Sequence, residues 1–233
     1  MQIKALSNVT IFGGSFNPLH TGHLEIIGAL STDTMTDRVI VVPNRVSPFK
    51  PEMGFLPDAI RLEMLQSALA GRQKMEISDL ELRLPAPSYT YRTLQIISST
   101  LPQASLYLAL GMDAFAEFAR WHHAAEILAL AGLVIFHREG WPKQGQGDPN
   151  PLQNAQSWQR YLPAPWDTEK LLPAPEGLVT PQGRLLLRQL PHCIPGFSSR
   201  DILQQRDLEG VPPGAREVLA AYWKHDQGAS NPP

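Results

Sequence analysis

Two histidines three residues apart, His20 and His23, close the run Gly13-Gly14-Ser15-Phe16-Asn17-Pro18-Leu19-His20-Thr21-Gly22-His23, which follows apolar Val9-Thr10-Ile11-Phe12 directly. An imidazole N–H can donate to phosphoryl oxygens without carrying a full charge, and donors held in advance stabilise charge that builds on a phosphorus centre. The glycine pair lets a strand end turn sharply and admits a ligand close to the backbone. A helix starting near Gly22 adds unpaired amides and partial positive charge at the same place. This combination suits the binding of a polyphosphate. It is not a Walker loop, because no Gly-Lys-Ser/Thr follows, and the G-x-G-x-x-G pattern is absent.

The elements that must hold these groups alternate along the chain. Apolar strand patterns fall at 9–12, 39–42, 75–77, 106–110 and 133–136, with helical patterns starting near Gly22, at Asp58, at Thr90 and across 113–130. That alternation predicts an α/β fold, a Rossmann-like doubly wound parallel sheet covered on both faces. Ligands of such sheets sit beyond the carboxyl ends of the strands. There His20 and His23 after strand one, Asn44 to Lys50 after strand two, and Asp113 after strand 106–110 converge although far apart in sequence. From 141 to about 183 the chain turns rich in Pro, Gln and Gly, which predicts an irregular excursion pinned to the body by Trp141, Trp158 and Trp166. A returning strand at 184–190 and a C-terminal helical segment at about 197–225 complete a single domain over 1–233, with one helix from Ser198 and one from Pro213, a residue suited to a first helical position.

Gly13 to His23 resembles the G-G-x-F-[ND]-P-x-H-x-G-H signature of nucleotidylyltransferases. Val41-Val42-Pro43-Asn44, Ala86-Pro87-Ser88-Tyr89-Thr90 and Gly111-Met112-Asp113 followed by Trp121 are similar to the bacterial nicotinate-nucleotide adenylyltransferase family, in the family's order. The resemblance covers most of 8–140 and resumes weakly at Phe197. It implies direct transfer of an adenylyl group from ATP, with Mg²⁺ bridging phosphate oxygens, to nicotinate mononucleotide. On that resemblance Gly13, Gly14, Ser15, Phe16, His20, His23, Gly111, Asp113, Ser198 and Arg200 face ATP, with His20 and His23 catalytic and Asp113 on the ribose hydroxyls. Asn44, Lys50, Tyr89, Thr90 and Trp121 face the mononucleotide, Trp121 stacking on the pyridine ring. No metal-ligating residue is implied.

Two positions depart from the family. Phe49 precedes Lys50 where a His is usual, and Leu203 stands where a triphosphate-binding Arg is expected. Arg200, three residues earlier and so on the same helix face, can reach that anion instead. The departures leave two alternatives beside the adenylyltransferase: a related nucleotidylyltransferase acting on another phosphorylated metabolite, and a non-catalytic nucleotide-binding paralogue.

Composition agrees with a compact enzyme. A net charge of −2 over 233 residues, without a basic run, argues against nucleic acid as a partner. Cys193 is alone, so no internal disulfide can form and a reducing cytoplasm is expected. Neither a leader nor a membrane span is expected. Homo-oligomerisation is left open.

Overall fold

The computed structural model describes residues 7–48, 55–138, 158–166, 170–175, 177–195 and 198–229. At its centre lies β1 (Asn8–Gly14), flanked by β2 (Arg38–Pro43) and β4 (Ser105–Gly111), both parallel to it. Ile11 sits opposite Ile40 on one side and Leu108 on the other. β3 (Met75–Ile77) extends the sheet past β2, while β5 (Ala131–Arg138) and β8 (Leu185–Ile194) extend it past β4, all parallel. Two short strands, β7 (Gly177–Val179) and β6 (Leu172–Ala174), close the far edge antiparallel, giving the order β3-β2-β1-β4-β5-β8-β7-β6. The order reverses between β1 and β4, which opens a crevice at their carboxyl ends.

Each face of the sheet has its own core, because alternate strand residues point to opposite sides. Val9, Ile11, Ile40, Val42, Leu108 and Ile135 face one cluster, which contains Leu94 and Ile97 of α4 (Thr90–Thr100) and Ile127 and Leu128 of α6 (Ala124–Leu130). Phe12, Val39, Val41, Ala109 and Val134 face the other. There they meet α1 (Thr21–Thr32), α2 (Asp58–Leu69) and the long C-terminal α8 (Pro213–Ala229). The remaining helices among the described residues are short: α3 (Leu80–Arg83), α5 (Met112–Ala116) and α7 (Ser199–Gln205).

The structure corrects the sequence reading in three places. The helix expected across 113–130 is broken. α5 ends near Glu117, a 3-10 turn covers Phe118–Arg120, Trp121 is extended, and His123 adopts a left-handed conformation (φ 56°) before α6 starts. The excursion is not wholly irregular, since β6 and β7 form a hairpin on the sheet edge. Trp158 is buried against Phe115 with ring centroids 5.1 Å apart, and Trp166 Nε1 donates to the Ala125 carbonyl at 3.0 Å, as pinning requires. Trp141 lies outside the described residues. Finally, the parallel sheet ends in these antiparallel strands.

On the second face a buried ion pair joins strand to helix end. Arg188 of β8 donates to both carboxylate oxygens of Asp33, which also accepts from Thr36 Oγ1 at 2.5 Å. Burial alone would raise the Asp33 pKa, but the bonds from Arg188 and Thr36 outweigh it and hold the carboxyl below its ordinary 3.8. A depressed folded-state pKa gives stability that is present above the unfolded value and is lost as pH falls through the folded one. Asp33→Asn is therefore expected to melt lower than the parent at neutral pH, with the gap narrowing once the pH drops below about 3.8. Thermal melts of both proteins between pH 7 and pH 2.5 check this; a gap of constant size would contradict it.

Candidate active site

At the crevice β1 leaves the sheet into the loop Ser15–Leu19, and α1 begins at Thr21 with His20 as its N-cap. The tight turn is not made by the glycines, which lie within β1 without positive φ; it is made by Phe16, whose φ of 43° is left-handed. Such a conformation is costly for a non-glycine residue, and long-range bonds fix the loop around it. The buried Arg61 donates through Nη1 to the carbonyls of Ser15 (2.8 Å) and Asn44 (2.7 Å). Asn17 Oδ1 accepts from Leu56 N–H at 2.8 Å, and Ser199 Oγ donates to the Pro18 carbonyl at 3.0 Å. The loop is thus tied to α2 and α7 and to the end of β2.

The two histidine rings stack, with centroids 3.7 Å apart and planes 24° from parallel, and Phe16 meets His23 edge-on at 4.9 Å. Phe16 itself is fully buried. His23 Nδ1 accepts the His20 backbone N–H at 3.2 Å, which places the proton of the neutral ring on Nε2 as a donor. Gly22 allows this packing: a Cβ there would stand 3.1 Å from the His20 ring and 3.2 Å from the Pro195 carbonyl. Gly111, at the end of β4, does the same for Asp113, whose carboxylate oxygen would be 2.7 Å from an added Cβ.

These groups line one cleft of about 440 Å³. Gly13, Ser15, His20, His23, Gly111, Asp113, Ser198 and Arg200 all border it, with Phe136 and Ile194 supplying apolar wall. Gly14 and Phe16 do not border it; Phe16 instead supports the histidine pair from below. Ser198 caps α7, accepting from Asp201 N–H at 3.4 Å, and exposed Arg200 stands in the first turn of that helix. Leu203 packs against the apolar cluster instead, so of the two only Arg200 reaches the cleft. Its neighbour Asp201, which borders the cleft, was not singled out from the sequence.

Of the residues assigned to the mononucleotide, Asn44, Tyr89, Thr90 and Trp121 do not border this cleft. Asn44 follows β2, donates to the Gly14 carbonyl at 2.9 Å, and carries a buried Oδ1 without a hydrogen-bond partner among the described residues. Tyr89 caps α4, Thr90 is its first residue, and the Tyr89 ring lies 4.4 Å from that of exposed His122. Trp121 is half-buried, 5.5 Å from the Phe118 ring. Phe49, Lys50 and Phe197 fall outside the described residues. Among the described residues no three His, Cys, Asp or Glu side chains gather as a cation site.

Sheet order, histidine loop and cleft together define a nucleotidyltransferase of the α/β class. Residues 11–202 match the cytidylyltransferase-like family, and the chain belongs to that family. Within it the chain is 36% identical over 141 residues to a probable nicotinate-nucleotide adenylyltransferase of Gloeobacter violaceus, spanning 59% of this chain and 68% of the relative. A protein of the same description from Cytophaga hutchinsonii is 38% identical over 130 residues, 56% of this chain and 68% of the relative. Of solved structures, the Plasmodium falciparum nicotinic acid mononucleotide adenylyltransferase complexed with NaAD superposes with a TM-score of 0.63 at 16% identity, over 93% of this chain and 96% of that one. At that identity the likeness supports the fold alone.

Proposed function

We propose that this chain transfers the adenylyl group of ATP to nicotinate mononucleotide, giving deamido-NAD and pyrophosphate, a step of NAD biosynthesis in the cytoplasm. The observation that carries the reading is the single cleft bringing the His20–His23 pair, Gly111–Asp113 and Ser198–Arg200 together at the carboxyl ends of β1 and β4. The names of the curated relatives support the choice of acceptor.

In this reaction an oxygen of the mononucleotide phosphate attacks the α-phosphorus of ATP, a new P–O bond forms, and the bond to the bridging β-oxygen breaks to release pyrophosphate. The attacking oxygen is already anionic, so no protein nucleophile and no dedicated base is needed. Catalysis rests on alignment and on neutralising phosphoryl charge. His23 donates from Nε2–H and His20 stands stacked beside it, both held before ATP arrives. Asp113 accepts the ribose hydroxyls. Trp121 stacks on the pyridine ring, framed by Tyr89 and Thr90, and Asn44 and Lys50 meet the acceptor's polar groups. Mg²⁺ enters with ATP as part of the substrate. Among the described residues Asp113 and Asp201 are the carboxylates bordering the cleft, and the ion would supply charge neutralisation to the triphosphate it accompanies.

The test is pyrophosphate release with ATP or CTP against a panel of mononucleotides and phosphorylated metabolites. Turnover with ATP and nicotinate mononucleotide above all other pairs is expected; preference for CTP, or for an acceptor without a pyridine ring, overturns the reading. Arg200→Ala is expected to raise the KM for ATP roughly tenfold, a loss of about 1.4 kcal/mol, with the KM for the mononucleotide nearly unchanged. Steady-state kinetics with each substrate varied in turn checks it, and an unaltered KM for ATP removes Arg200 from the triphosphate site.

A further inference from the structure

Glu81, 7% exposed on the four-residue helix α3, is buried without the arginine that accompanies the buried Asp33 side chain. Burial pushes its carboxyl above the ordinary carboxylate range, opposed by hydrogen bonds from Thr93 and Ser88. No cation contributes to that balance. A buried carboxylate held only by hydroxyls is a poor way to stabilise a fold, since taking a charge out of water is expensive. What it supplies is direction, an oxygen that fixes the Thr93 hydroxyl in space.

The donors bracket one short segment. Thr93 Oγ1 donates to Glu81 Oε1 at 2.6 Å, and the Ser88 hydroxyl stands near enough to the same carboxylate to oppose the rise in its pKa. Ser88 Oγ in turn accepts the Arg45 backbone N–H at 2.9 Å, and Ser88 N–H donates to the Val46 carbonyl at 2.9 Å. The Tyr89 carbonyl accepts from the Arg92 and Thr93 amides, closing the first turn of α4. Tyr89 and Thr90 are therefore clamped between Ser88 and Thr93 and tied to the loop after β2, which starts at Asn44. We infer that Glu81 is a positioning residue for the acceptor nucleotide, setting Tyr89 and Thr90 against its ring through Ser88 and Thr93. This rests on the assignment of Tyr89 and Thr90 to the acceptor made above.

The experiment uses the full chain and has two arms. In steady-state kinetics Glu81→Ala is expected to raise the KM for nicotinate mononucleotide about tenfold while the KM for ATP stays within about twofold, with part of the loss restored in Glu81→Gln. In hydrogen exchange of the ligand-free protein, the Arg45 and Ser88 amides are expected to lose protection while those of β1 and β4 keep theirs. If Glu81→Ala does not fold, Thr93→Val, which removes the donor to Glu81 Oε1, carries the same expectations. Unchanged exchange at Arg45 and Ser88 overturns the inference, as does an unchanged KM for the mononucleotide or an equal rise for both substrates. Altered exchange in a chain whose parent never uses the mononucleotide sinks the proposed function instead and leaves the clamp standing.

Discussion

His20→Ala and His23→Ala should each slow adenylyl transfer by roughly 10²- to 10³-fold, the usual cost of removing one preorganised donor from a developing phosphoryl or acyl oxyanion. The effect is expected in kcat, because the rings are stacked and oriented before substrate binds and so favour the transition state over the ground state. The cost to the fold is small by comparison. His23→Ala removes the acceptor of the His20 backbone N–H, worth about 1 kcal/mol as a helix cap. Rapid-quench kinetics beside thermal melts separates the two: a collapsed melt would make the histidines structural, and near-normal turnover in both variants would remove them from the mechanism.

The second large effect belongs to Arg61. Its side chain is fully buried, and Nη1 serves the carbonyls of Ser15 and Asn44 while Nη2 meets Asp58 at 2.6 Å. Arg61→Met leaves both carbonyls without that donor, at about 1–3 kcal/mol each. The Asp58 partner is about half exposed and adds little once water screens it. A loss of about 2–6 kcal/mol follows, a large part of the roughly 5–15 kcal/mol that holds a typical domain. Urea titration monitored by tryptophan fluorescence measures it. Arg61→Lys should recover only part, because one ammonium cannot reproduce the planar fork that serves two carbonyls and a carboxylate. A Met variant as stable as the parent would show that the Ser15 loop holds itself.

Arg61 also shows where sequence reading stopped. The helix read from Asp58 is α2, and its buried face is Arg61, Met64, Leu65 and Leu69, a helical stripe that begins with a charge. An arginine in phase with buried leucines is the signal that was available, and it points to backbone carbonyls as partners because only they are plentiful at strand ends. The histidine loop, Gly111–Asp113 and the strand alternation were legible because each has a local cause: glycine where a side chain would collide, apolar runs where both faces are covered. The break at Trp121–His123 was not, since apolar residues continue through it and only the left-handed His123 ends the pattern. The β6–β7 hairpin was hidden for a similar reason, because its residues acquire strand character from the edge of β8 and not from their own composition. Arg200, singled out by helical spacing, borders the cleft, while Leu203 packs against the apolar cluster.

The two outermost strands of the described sheet carry a consequence for assembly. Each is a strand of three residues, β3 at one end and β6 at the other, and β6 contains Pro173, which has no N–H to offer a neighbour. Long, flat borders are what allow sheets of separate molecules to fuse into continuous ribbons, and short or proline-bearing ones prevent it. Copies of this chain that meet in a crowded cell therefore find little at these two outermost strands, among the described residues, with which to extend the sheet from one molecule into the next.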